Sequence, residues 1–330
     1  MLRIIPLFAI MALPTRTSAQ PGSDILLVAN QGDHTISLID PASGKLVKTI
    51  ATHGDHAHEI AVSPDSRIAY LPIYGDSGVG RPGTDGRTIE VLDLPNHTIT
   101  STIDLGRPTR PHWGGFGADG LLYVSAELAQ AIDVIDPQKR KVVGSIPTGA
   151  EQSHMVMFSH DGKRAYSSNV NKGSVSVLDV RARKLIKVIP VSDTAQRISI
   201  SADDKFVFTA DQTQPRLAVI DTQQLKIARW IDLPSVGFGS TATVDGKWLL
   251  VTLPQTDQIA VVDLANSKVS QTISVPSHPQ EILIRRDSPI AYISCNQSGK
   301  VAVLNLQTWK VDKLLTAGPG ADGLALASAK

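Results

Sequence analysis

The chain has 330 residues and one cysteine, Cys295, so it has no internal disulfide to staple it. It contains no C-x-x-C-H, which excludes the usual covalent attachment of haem. Lysine plus arginine number 32 against 31 aspartate plus glutamate, and a net charge of +1 gives no electrostatic case for a dedicated nucleic-acid binder. Beyond the first residues no stretch approaches the ~20 apolar residues of a membrane span. Low-complexity tracts and linkers are missing, as are a Ser-His-Asp order and a nucleophile elbow. Stability must come from packing alone, and the chain reads as a binding protein rather than an enzyme.

The first residues have the pattern of an export signal. Arg3 supplies the positive start, Ile4 to Leu13 a short apolar core broken by Pro6, and Thr17-Ser18-Ala19 small residues for cleavage. Residues 1–19 are therefore expected to be removed, leaving about 310 residues of a periplasmic or secreted protein.

What is present is a period. A short apolar strand ending in Val/Ile/Leu-Asp recurs seven times, closing at Asp40, Asp93, Asp136, Asp179, Asp221, Asp263 and, as Leu-Asn, at Asn305. The intervals are 53, 43, 43, 42, 42 and 42 residues. Several short strands per unit at such a period predict β-propeller blades. In the unit from Gly149 to Pro190, strands fall at 154–158, 164–169, 175–179 and 185–190, separated by turns with Asp161-Gly162 and Asn171-Lys172-Gly173. Asp and Asn with Gly tolerate the positive φ that tight hairpins need.

A second phase is locked to the first: turn aspartates recur at Asp65, Asp119, Asp161, Asp203, Asp245 and Asp287. The chain opens on a second strand, 25–30, and the missing first strand is supplied by Asp322 to Leu326. The expectation is an all-β, single domain over residues 20–330. It is a seven-bladed β-propeller with four antiparallel strands per blade, whose first blade is closed by the C-terminal strand.

The segments YVSA (123–126), YSSN (166–169), FTAD (208–211) and YISC (292–295), with VSPD (62–65), resemble the YVTN-type (YncE-like) seven-bladed propeller repeats over essentially the whole expected mature chain. The resemblance implies an exported or surface-exposed propeller, in a family of varied or unassigned roles. Leu253 and Cys295 stand where the family has asparagine.

Inner strands of a propeller line its channel, and loops sort onto two faces. His34, His53, His56, His58, His112, His154 and His278 fall on one face, while lysine and arginine turns collect on the other. One position per blade marks the channel mouth: His58, His112, His154, Gln196, Phe238, Gln280 and Asp322. Three histidines at successive positions are candidate ligands for a divalent transition metal, since neutral imidazole is its commonest side-chain donor. The ligand site at this mouth is read as His56, His58, Glu59, His112, Trp113, His154, Gln196, Arg197, Gln280 and Asp322, with His58, His112 and His154 as the metal candidates. Trp113 is placed at the rim to stack a flat ligand. Residues 74–87, about ten residues longer than their counterparts, are expected to form a lid or gripping loop over the same face. Cys295, near that face, is a weaker candidate as ligand or nucleophile.

The partner is then a small molecule or a protein at the histidine face, and the propeller a monomer without membrane span. Two alternatives use the same histidines. One is a lactonase-like hydrolase or lyase, with a histidine as acid–base group. The other resembles propellers that hold haem d1; against it stand the lack of a cytochrome portion and of an arginine-rich pocket.

Overall fold

The computed structural model describes residues 24–78 and 81–328; the expected signal at 1–19 lies outside them. Seven sheets of four antiparallel strands form a ring of blades. Blade 4 shows the unit, with strands Ser153–Phe158, Arg164–Asn169, Ser174–Asp179 and Lys184–Pro190 running from channel to rim. Its second and third strands are almost wholly buried, and its outermost strand alternates toward solvent. The two middle strands pack on both faces against neighbouring blades, so both alternating sets of side chains are buried, the small polar Ser167, Ser168 and Ser176 included.

The repeated aspartates have a mechanical role. Asp136 Oδ1 accepts the backbone N–H groups of Gln138 and Lys139, and Asp221 those of Gln223 and Gln224. Asn305 does the same for Gln307 and Thr308. Each closes an Asx turn between the third and fourth strands, which a carboxylate or amide can do and a longer acid cannot. The second series works likewise at the turn after the inner strand. Asp161 Oδ1 accepts from Lys163 N and Ser159 Oγ, and these bonds hold its carboxyl below the ordinary range.

Blade 1 combines both ends of the described chain. Ala321–Ala327 pairs antiparallel with Ile25–Asn30, with Ile25 opposite Ala327 and Val28 opposite Leu324. Apolar clusters then bridge blade to blade. Met155, Tyr166 and Val177 of blade 4 pack on Ile198, Val207 and Ile220 of blade 5. Among the described residues no helix is long and apolar enough to cross a membrane.

The insertion is smaller as a loop than the sequence suggests. Blade 2 lengthens its second strand to Ile68–Gly75 and its third to Asp85–Asp93, with Gly75 opposite Asp85. Part of the expected loop is a hairpin that stands above the ring.

Candidate functional site

The residues at the channel mouth are aimed by β-bulges. Register shifts interrupt the inner strands between Pro111 and Gly114, Ser153 and Val156, and Pro279 and Ile282; one also breaks the pairing of the closing strand at Ala321–Leu324. The bulges fall on His112, His154, Gln280 and Asp322. A bulge leaves its residues outside the ladder and bends the strand, which re-aims their side chains. All seven same-phase residues, His58 through Asp322, line one cavity of about 430 Å³, with His56, Arg197, Gln31, Tyr74 and the hairpin of blade 2. That volume lies within the range of small-molecule sites.

Five imidazoles form a row from rim to interior. Ring centroids are 4.8 Å apart for His34–His56, 6.1 Å for His56–His58, 4.7 Å for His58–His112 and 3.6 Å for His112–His154. His112 is 2% exposed, and its Nδ1 has no hydrogen-bond partner among the described residues. Burial, reinforced by His154, His58 and Arg197, holds its pKa well below the ordinary value, so it is neutral. His154 Nδ1 is bonded to Glu127 Oε1, while Glu127 Oε2 accepts the Tyr74 hydroxyl at 2.7 Å. A carboxylate fixing one ring nitrogen leaves Nε2 for a ligand or a proton, the orienting logic of catalytic and metal-bound histidines alike. His58 Nδ1 lies 2.6 Å from Gln31 Nε2 and 3.3 Å from Asp322 Oδ2. The three rings His58, His112 and His154 are tilted against one another at interplanar angles of 35° and 33°. Among the described residues no group of three or more His, Cys, Asp or Glu side chains is arranged to hold a metal ion.

The floor of this cavity is an ion-pair tie across the channel. Arg197 of blade 5 meets Asp322 of blade 1 at 2.8 Å, Glu59 of blade 2 at 2.9 Å and Glu281 of blade 7 at 3.9 Å. Burial pushes the Glu59 carboxyl well up and that of Glu281 up to about 7, against the pull of Arg197. Asp322 is held below its ordinary value despite burial, by Arg197 and His58. Blade 1 comes this close because residue 323 is glycine: a Cβ there would lie 2.1 Å from the His58 carbonyl oxygen.

Arg110 braces the hairpin of blade 2 beside the mouth. Its Nε donates to Asp85 Oδ1 at 2.6 Å and its Nη1 to Gly78 O at 3.2 Å, while Ser77 Oγ donates to Asp85 at 2.9 Å. The hairpin is therefore a fixed wall at its base rather than a free lid. Arg110→Met is expected to speed proteolytic cleavage between residues 76 and 85 with little change in melting temperature, as followed by limited proteolysis with proteinase K alongside circular dichroism.

Several expected site residues stand elsewhere. Trp113 is one residue further down its strand than His112, a step of about 3.3 Å. It packs near Phe158, at 6.0 Å between centroids, and lines a different cavity below the floor, so it does not stack at the rim. Glu59 is 4% exposed and held by Arg197 in the floor. Arg197 reaches the cavity with its charge already met by three carboxylates. Cys295 is fully buried among apolar side chains, and burial pushes its thiol up to about 12, which removes it as ligand or nucleophile. Gln31, Tyr74 and Glu127 were not singled out by sequence. All three occupy one repeat position, equivalent to Val170 and Gln212 in blades 4 and 5; it directly follows the second strand in blades 1 and 3 and falls within the lengthened second strand in blade 2. A polar side chain at that phase was the available signal.

Fold and mouth together define a seven-bladed propeller with a histidine-rich polar pocket closed below by an ion-pair floor. The model of the Cytochrome D1 heme domain matches residues 116–235, less than half of the chain. That span contains His154, Gln196 and Arg197 but neither His58, His112 nor Asp322. No curated protein matches the sequence. Among solved structures, a chain of the Kuenenia stuttgartiensis hydrazine synthase is 18% identical with a TM-score of 0.74, covering 90% of this chain and 99% of that one. The dihydro-heme d1 dehydrogenase NirN, solved in complex with DHE, is 17% identical with a TM-score of 0.66, covering 95% of this chain and 77% of that one. At these identities the likeness is one of fold.

Proposed function

We propose that this is an exported YVTN-type propeller, a single domain over residues 20–330, that binds a small polar ligand at the histidine mouth of its channel. The observation that carries this reading is His112. A buried, neutral imidazole with an unpartnered Nδ1, facing a cavity of about 430 Å³, is an unmet hydrogen-bonding group awaiting a partner. His154 and His58, set by Glu127 and Asp322, supply polar atoms on either side, and Gln196 and Gln280 complete the wall.

A second reading is favoured by the Glu127–His154 pair, which suits acid–base chemistry of the lactonase or lyase kind. The third, haem d1, is suggested by the matched domain and by NirN. Its carboxylates call for free cations at the pocket, and the residues present do not fit. Arg197 is met by Glu59, Asp322 and Glu281, and Arg110 by Asp85, which leaves Arg81 at the rim as the one unpaired arginine lining the cavity among the described residues.

Native mass spectrometry, elemental analysis and visible absorption of tag-free protein separate these readings. A bound organic mass present in the wild type and lost in His112→Leu is the expected result. Stoichiometric metal lost in the same variant would replace the organic ligand by a transition ion on His58, His112 and His154. A visible cofactor band would restore the haem reading. Retention of every bound species in His112→Leu would overturn the assignment of the mouth.

A further inference from the structure

Below the Arg197 floor the channel opens into a second cavity of about 500 Å³, facing away from the histidines. Two features of the inner strands create it. In the adjacent blades 5 and 6 these strands are Ser199–Ile200 and Ser240–Ala242, as short as Ala61–Val62 of blade 2, against six residues each, Ser153–Phe158 and Pro279–Ile284, in the flanking blades 4 and 7. The residues that remain there are small or aliphatic, so the channel widens where its neighbours keep full strands. The walls are mostly apolar, with Met155 and Met157 from blade 4, Ile198 and Ile200 from blade 5, and Ile282 and Ile284 from blade 7; the hydroxyls among them are taken, Ser199 with Ser240 at 2.7 Å, Thr241 with Ile282 O at 2.7 Å and Thr243 with Asp245 at 2.6 Å. Arg197 and Glu281 form the roof, already paired with each other and with the acids of the tie. The charge of Arg197 is met by those acids, although its Nε and Nη1 have no hydrogen-bond partner among the described residues.

The rim differs from the interior. Val244 is 60% exposed at the opening, an apolar side chain left at the entrance. Beside it Arg286 is exposed, lines the same cavity, and has no ion pair or hydrogen bond among the described residues. Its neighbour Arg285 is held by Asp24 and Asp287, each at 2.6 Å. His160, also on the lining, is bonded to Asp204 at 2.5 Å. Of the basic side chains at this rim, Arg286 alone is free to meet an external anion.

We propose that this lower chamber is a second binding site, independent of the histidine mouth, for an amphiphilic monoanion. The apolar body of one acyl chain or flat hydrocarbon fills the chamber, and its single carboxylate rests on Arg286 at the rim. The order is set by the chemistry: Arg197 in the roof already carries Asp322, Glu59 and Glu281, so an anion driven inward would add a charge to three acids, whereas an apolar body there displaces water from the aliphatic side chains. The floor separates the two cavities, so this ligand does not pass to the histidines.

Isothermal titration of the full exported chain with decanoate, below its micelle concentration, tests the assignment. One-to-one saturable binding is expected. Decanol, with the same tail and no charge, should bind at least about tenfold more weakly, and Arg286→Glu should weaken decanoate by a similar factor. Thr241→Trp, which fills the chamber from a partly exposed position, should abolish binding while the melting curve confirms a folded protein. Absence of saturable heat, equal affinity for decanol, or full affinity in either folded variant would overturn the proposal.

Discussion

Arg197→Ala is expected to destabilise the propeller by about 3–5 kcal/mol, the usual effect of leaving buried charges without their partner. Three carboxylates from blades 1, 2 and 7 converge on this one guanidinium, at 2.8, 2.9 and 3.9 Å. Without it they face one another across a closed channel. The loss depends on pH, and its sign follows from the acids. Burial lifts Glu281 from an ordinary 4.5 to about 7, and lifts Glu59 well up too. A raised folded pKa favours the folded state below the unfolded value, and that contribution is lost as pH rises through the folded value. Asp322, held low by Arg197, contributes in the opposite sense, above its unfolded value, and loses that as pH falls through its lowered one. In the variant all three acids gain a reason to hold a proton. The deficit against wild type should be largest near pH 8 and shrink toward pH 5. Urea denaturation at both values measures it; an equal deficit at both would show that the tie is not electrostatic.

The period made the blades legible because each phase does a local job visible in residue type. An aspartate that accepts two backbone N–H groups cannot be moved without losing its turn, so the third-strand aspartates stay in register. The insertion in blade 2 was harder to read. Its glycines and charges look like loop, yet Gly75 and Asp85 pair in a lengthened hairpin, and Arg110 from the next blade secures it. That support comes from a residue distant in sequence, and a local pattern does not contain it.

The ring of the mouth was readable for the same reason as the blades: one phase, seven residues, one cavity. Which neighbouring phase lies above the floor and which below was not readable. The bulges at Pro111–Gly114 and Ser153–Val156 break simple alternation, and Trp113, adjacent to His112, ends beneath Arg197. The partners Gln31, Tyr74 and Glu127 share a phase of their own, but their side chains differ in kind, so no repeated residue type marked them. Glu127 serves His154 of the next blade, a pairing made between neighbouring blades rather than within one unit.

Deletion of residues 321–330 should abolish folding altogether, where most truncations of exposed ends do not. The strand Ala321–Ala327 is the inner edge of blade 1 and the seam between two neighbours. Leu324 and Ala321 pack with Tyr292 and Val301 of blade 7, while Ala325 and Ala327 pack with Leu71 and Ile73 of blade 2. Removing it uncovers the backbone edge of Ile25–Asn30, opens the ring and takes Asp322 from the Arg197 tie. These losses together exceed the roughly 5–15 kcal/mol by which a domain is stable, and an uncovered edge strand pairs with other chains. The expected result is protein in inclusion bodies or in the void volume on size exclusion. The complementary experiment keeps the strand and changes only the connectivity. Ile25 lies opposite Ala327, so a short turn joining residue 328 to Asp24 makes an ordinary hairpin, and new ends can be opened in the loop at Gly149–Ala150. This permutant should fold to a monomer with a melting temperature close to the parent's. A deletion that stays soluble and cooperative would mean that blade 1 is not the clasp on which the ring depends, and a permutant that aggregates would mean that the joining of the two chain ends, rather than the strand itself, holds the ring.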